Sequence, residues 1–163
     1  YENKMIYACV SERTSLSVLE KYATTNGFQA IVFLATDKNG MPVYHTNVMM
    51  CIAKTFAVVC LDSVTNEGER EKLITSLEKT NKEIVDISLQ QLNSFAGNML
   101  QVKNADDELL LGMSTQAFES LPAAQVETLQ KHSRIIHSSL NTIETVGGGS
   151  ARCMMAEVFL ERK

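Results

Sequence analysis

Residues 48–64 read VMMCIAKTFAVVCLDSV and residues 98–114 read NMLQVKNADDELLLGMS. Each is an apolar run broken once by a polar link, Lys54-Thr55 in the first and Asn104 to Asp107 in the second. Two apolar runs around a short polar turn predict a pair of strands. The segments after the two pairs are also alike. After the first come NEGEREKLITSLEKTN (66–81), a charged amphipathic helix with a capping residue, and the strand EIVDIS (83–88). After the second come the helix AAQVETLQKHSRI (123–135) and IHSSLNTIE (136–144), an irregular or strand segment. The unit is therefore β-β-α-β.

The spacing makes it a repeat. Met49 and Met99 lie 50 residues apart, and Met154 comes 55 residues after Met99. A period near 50 marks stacked supersecondary units. All-strand propeller blades share that period, but each unit here carries a helix, so the expected class is α/β with about three β-β-α-β modules. The earlier chain fits the same unit: KMIYACVS (4–11) is a strand, and FQAIVFLAT (28–36) is another. Between them, RTSLSVLEKYATTNG (13–27) is a helix with Leu16, Leu19, Tyr22 and Ala23 on one stripe and Gly27 as its C-cap. GGGSARCMM (147–155) leads into a last strand, ARCMMAEVFLER (151–162).

Modules related by rotation bring equivalent strand starts to the same end of an assembly. The segments before those starts are YHTN (44–47), FAGN (95–98) and SARC (150–153), so a His, an Asn and a Cys arrive at similar places. Rigid strands holding groups from several modules at one point are a natural setting for chemistry. A thiolate is a nucleophile, and a nearby imidazole can activate it and serve as acid to a leaving amine. Cys153 and His45 are the candidates for these roles. Glycines 147–149 allow a sharp turn and close approach beside the thiol. Cys9, Cys51 and Cys60 sit inside apolar runs and read as buried small hydrophobes, while His132 and His137 read as ordinary hydrogen-bonding residues.

Composition narrows the classes. The chain has 163 residues, 45% apolar and 21% charged, enough for a single domain, 1–163, with a real core. A net charge of −4 without a basic stripe argues against nucleic acid as a partner. No apolar run reaches the ~20 residues of a membrane helix. There is no CxxC and no Cys/His spacing suited to a metal. The four cysteines read as free thiols, and with no leader-like start the expectation is a reducing, cytoplasmic setting.

Taken together, YACVSERTS, YHTNVMM, FAGNMLQV and GGGSARCMMAE resemble the arginine deiminase and amidinotransferase (pentein) superfamily, most closely its bacterial citrulline utilisation hydrolases. The resemblance implies a pentein-type α/β propeller in which five such modules form a ring. It implies Cys153 as the nucleophile attacking a guanidino or ureido carbon, His45 as the proton shuttle, and Asn47 and Ser150 as substrate-binding residues. Neither metal nor organic cofactor is implied. Relatives acting on arginine commonly carry Asp where this chain has Asn47. An amide suits a neutral ureido group, so the implied substrate is citrulline, releasing ornithine, ahead of arginine or a related compound. An amidinotransferase, an arginine deiminase or a non-catalytic pentein-like binding module are the alternatives. Five modules of this period need about 250 residues. The expectation is therefore a C-terminal portion, inactive alone, whose partner is a second copy or the missing N-terminal portion.

Overall fold

The computed structural model describes residues 3–157. Its strands fall into three separate sheets. The first holds β1 (Met5–Cys9) and β2 (Gln29–Phe33), parallel, joined through helix α1 (Leu16–Asn26). In the second, a short helix α2 (Thr46–Met49) runs directly into β3 (Met50–Ile52), which turns back antiparallel as β4 (Phe56–Val59). Helix α3 (Glu67–Lys79) then crosses over to β5 (Glu83–Asp86), parallel to β4. The third repeats the plan: after the short α4 (Leu89–Asn93), β6 (Leu100–Lys103) and β7 (Leu109–Ser114) form the hairpin. Helices α5 (Thr115–Ser120) and α6 (Ala123–Gln130) lead to β8 (Arg134–Ser138), parallel to β7. The second and third sheets thus share strand order and directions, as the 50-residue period predicts.

Local chemistry explains the elements. The Asn66 side chain accepts from the Glu69 N–H at 3.0 Å and caps α3, with Glu67 and Glu69 on its positive end. Gly27 ends α1 at φ 67°, its N–H and that of Phe28 closing on the last carbonyls. Every residue of β4 is buried, which is why it reads as an unbroken apolar run flanked by β3 and β5. Phe56, Met49, Leu73, Leu77 and Met99 fill the core around it.

Three local expectations are corrected. The α1 stripe is mostly uncovered: Ala23 is buried, but Leu16 and Tyr22 are 42% and 54% exposed; α1 packs on β2, whereas α3 packs on both β2 and β5. The helix expected over 123–135 ends at Gln130, and of 136–144, expected irregular or strand, residues 136–138 complete β8 while Asn141–Gly147 form helix α7, ended by Gly148 at φ 65°. Residues 151–154, expected to begin a strand, form a 3₁₀ turn. The reason is tertiary: the Arg152 N–H is drawn to Asn98 Oδ1 at 3.0 Å, and the Cys153 N–H closes back on the Ser150 carbonyl. Residues 155–157 form no strand either, and the rest of that expected strand, 158–162, lies outside the described residues.

Candidate active site

The three module ends do meet, although Val48 and Met49 lie in α2 and Cys153 in a 3₁₀ turn, while the Asn98 segment runs straight into a strand, β6. Gly97 marks the closest approach, since a Cβ there would stand 2.4 Å from the Val48 carbonyl oxygen and 2.8 Å from the Met49 carbonyl carbon. The turn that delivers it holds Phe95 at φ 62°, a left-handed conformation that costs an L-residue about 1–2 kcal/mol. The third partner arrives through the glycine turn. Gly148 takes the left-handed conformation there, and its carbonyl accepts the Tyr44 hydroxyl at 3.0 Å. A Cβ at Gly149 would lie 3.2 Å from Cys153 Cβ and 3.4 Å from its Sγ. Glycine at 149 is therefore what gives the thiol its room.

Cys153 is the exposed one of the four cysteines; Cys9, Cys51 and Cys60 are buried. Burial pushes the Cys51 thiol up to about 12 and the Cys60 thiol up to about 11, and raises that of Cys9. None of these three is a nucleophile near neutral pH. Around Cys153 Sγ stand two side-chain amides. Asn98 Nδ2 lies at 3.2 Å and Asn47 Nδ2 at 3.7 Å. Asn98 is only 2% exposed, and it also donates to the Asn47 carbonyl at 2.9 Å. Among the described residues Asn47 Oδ1 is buried without a partner. A cavity of about 160 Å³ opens here, lined by Tyr44, Val48, Phe95, Asn98, Gly149 and Cys153 among others. That is below the roughly 300–1,000 Å³ of drug-sized sites and in scale with a small polar molecule.

The other expected site residues are placed differently. His45 is the exposed N-cap of α2, two residues from Asn47, with its ring tilted against Tyr44 at 5.2 Å. Among the described residues it makes no hydrogen bond to Cys153, and it does not line the cavity. Ser150 is fully buried, and its hydroxyl donates to Glu144 Oε1 at 2.6 Å. It braces the turn from behind. Next to the site, the Arg13 guanidinium lies 5.1 Å over the Tyr44 ring, and the Ser11 hydroxyl donates to the Tyr44 carbonyl. His132 bridges Thr55 and Glu83, and His137 bonds Thr115 and stacks on Phe118, both hydrogen-bonding roles away from the thiol.

Asn98, Glu144 and Tyr44 carried no assigned role in the sequence. For Asn98 the signal was its match to Asn47 across the period; for Glu144 and Tyr44 only the fold shows it. Among the described residues no group of three or more His, Cys, Asp or Glu could hold a metal ion. No helix among them is long and apolar enough to cross a membrane.

Two β-β-α-β modules whose starts adjoin an exposed thiol make a mixed α/β fold of the pentein kind. Within it, residues 1–160 match the family model described as "N,N dimethylarginine dimethylhydrolase, eukaryotic", and the chain belongs to that family. No curated protein sequence matches it. Among solved structures, it is similar to apo ArgZ, an arginine dihydrolase from the ornithine–ammonia cycle in cyanobacteria, at 14% identity and a TM-score of 0.70. That match covers 93% of this chain and 22% of ArgZ. The product-bound N-terminal domain of ArgZ gives 16% identity and 0.68, covering 93% and 50%. AgrE, in a ternary complex with ornithine and NAD+, gives 15% and 0.69, covering 93% and 20%. At these identities the likeness is one of fold. The chain spans half or less of the length of these structures.

Proposed function

We propose that this chain carries the nucleophile of a hydrolase that cleaves a C–N bond at the central carbon of a guanidino or ureido group on a small amino acid. The observation that carries the reading is Cys153: an exposed thiol, contacted by the Asn98 and Asn47 amides where two module starts meet, beside a small cavity. Family membership supports the substrate class. An N-terminal ArgZ domain is known covalently bound to a reaction intermediate, which is the kind of adduct a thiol nucleophile makes.

The Cys153 thiolate adds to the central carbon, the C–N bond breaks, and the departing nitrogen leaves as an amine after gaining a proton. His45, exposed at the start of α2, turns from Tyr44 towards the bound substrate to supply that proton and then takes one from the water that cleaves the S–C bond, a role worth about 10²–10⁴-fold. From citrulline the products are ornithine and an S-carbamoyl adduct, which water converts to ammonia and carbon dioxide. Asn47 favours the neutral ureido group, because a cationic guanidinium there lacks a charge-assisted partner worth about 1.5–3 kcal/mol. The citrulline branch is therefore our first reading of the substrate. The family description favours a second, an N-methylated guanidinium.

We further read residues 1–163 as the C-terminal part of a larger cytoplasmic propeller. The chain alone is inactive and associates with an N-terminal portion or a second copy, since preorganised positioning needs the remaining modules. The test is amine and ammonia release by the full-length protein on citrulline, arginine and dimethylarginine, with Cys153→Ala as the blank. Turnover that survives Cys153→Ala ends the mechanism. A preference for a guanidinium substrate ends the citrulline reading and leaves the nucleophile in place.

A further inference from the structure

We infer that Asn98 is a catalytic residue whose side-chain N–H donates to the Cys153 sulfur and stabilises the negative charge that the sulfur carries as nucleophile and as leaving group. The inference rests on the reading of Cys153 as the nucleophile. Its ground is the orientation of one amide. Which end of an asparagine side chain is nitrogen is normally assigned from its partners. Here two backbone groups fix it. The Arg152 N–H can only donate, and it meets Oδ1 at 3.0 Å. The Asn47 carbonyl can only accept, and it meets Nδ2 at 2.9 Å. Turning the amide over would set donor against donor and acceptor against acceptor in a site where Asn98 is 2% exposed and water cannot repair the loss. One Nδ2 proton is thus spent on Asn47, and the other faces Sγ at 3.2 Å.

The sulfur then has two ways to bond. As a thiol it can donate to Oδ1 at 3.6 Å, but that oxygen already accepts from Arg152. As a thiolate it accepts from Nδ2 at the shorter distance, a bond to a charged group and so the stronger one. Asn98 therefore discriminates between the two states of the sulfur. As the thiolate is spent on the substrate carbon, the same N–H remains on the sulfur, which keeps the group ready as a leaving group when water cleaves the adduct. Asn47, whose Nδ2 is at 3.7 Å, is the weaker second donor.

The test reads the sulfur directly and does not need turnover. In the 163-residue chain, Asn98→Asp keeps the acceptor for Arg152 and replaces the donor facing Sγ by a carboxylate oxygen. Alkylation of Cys153 by iodoacetamide near neutral pH, with peptide mapping afterwards, should slow by about tenfold or more, the scale of a lost hydrogen bond to a charged group. If Asn98 merely joined the modules, the variant would loosen the turn and Cys153 would alkylate at an equal or faster rate; that result overturns the inference. A second measurement uses the unaltered protein, so an unfolded variant decides nothing by itself. Methylthiolation of Cys153 should shift the Asn98 side-chain NH₂ resonances in a ¹⁵N-labelled sample, and unmoved resonances overturn the inference. Neither readout depends on the substrate panel, so an absence of hydrolysis and a failure of this inference are told apart.

Discussion

Replacing Gly97 by alanine tests whether the strand starts meet as described. The added Cβ would lie 2.4 Å from the Val48 carbonyl oxygen, 2.8 Å from Met49 C and 3.0 Å from Met49 Cα. All three are backbone atoms, so no side chain can swing aside. To restore ordinary contact the two segments must part by about 1 Å. Overpacking of this kind costs about 1–3 kcal/mol. The Asn98–Asn47 bond, 2.9 Å now and largely buried, spans the same gap, and its loss adds about 1 kcal/mol. The sum of about 2–4 kcal/mol is a large share of the 5–15 kcal/mol typical of a domain. At a urea dependence of about 1–3 kcal/mol per molar, the midpoint should fall by roughly 1–2 M. Gly68→Ala is the matched control. It lies inside α3, its nearest atom would be Asn66 Oδ1 at 3.4 Å, and helix propensity favours alanine by up to about 1 kcal/mol. Urea unfolding monitored by circular dichroism measures both. A Gly97→Ala midpoint equal to the wild type would show that the two strand starts do not pack against each other, and the site built on their contact would go with it.

Burial and charge set further expectations. A limiting thiol reagent at pH 8 should label Cys153 alone, with Cys9, Cys51 and Cys60 reacting only in denaturant, as mass mapping of peptides would show. Asp86→Asn should stabilise the protein slightly at pH 7, because partial desolvation of this exposed carboxyl raises it in the fold above its ordinary value, against the opposing bond from the Leu61 N–H. The raised value means that the ionised form is the penalised one. The advantage of Asn should shrink as the pH falls towards 3, and denaturant unfolding at both pH values checks it. Glu144→Ala should lower the melting temperature, since it strands the buried Ser150 hydroxyl at a cost of about 1–3 kcal/mol, and Glu144→Gln should recover part of the loss.

How much of this could be read from the chain divides by the range of the interaction. The hairpins around Lys54-Thr55 and Asn104–Asp107 and the helix capped by Asn66 were legible, because polar turns, apolar runs and caps are written within a few residues. The period carried further still: it brought His45, Asn98 and Cys153 to equivalent module ends, and the structure sets Asn98 against Cys153 but turns His45 onto Tyr44, with Asn47, two residues on, beside the thiol instead. What failed were elements decided at a distance. CMMAEVFL has the composition of a strand, yet Cys153 sits in a 3₁₀ turn because the partner of the Arg152 N–H is 54 residues away. Helix α7 has no capping side chain and a mixed sequence, so nothing local announced it. The family resemblance implied Ser150 as a substrate ligand, whereas its hydroxyl is fully buried and bonded within the chain. The buried carboxylate that accepts its hydrogen bond lies on that same unannounced helix.

The joint between the second and third modules explains why structure and chemistry share residues. In this fold β3 pairs with β4 and β6 with β7, but β3 and β6 share no ladder, so backbone groups where they adjoin need other partners. Side-chain amides supply them. Gln101 Oε1 takes the Lys54 N–H at 2.9 Å, while its Nε2 is anchored on the Ser133 hydroxyl at 2.7 Å. At the other end of the strands Asn98 takes the Arg152 N–H and gives to the Asn47 carbonyl. An amide is the side chain that can do both, since it carries an acceptor and two donors. Gln101 spends its groups on structure. Asn98 has one proton left over, and the glycine turn delivers Cys153 to that proton. The thiol is thus seated on the hydrogen bond that closes the joint, so a substitution that opens the joint must change the reactivity of Cys153 along with the stability of the fold.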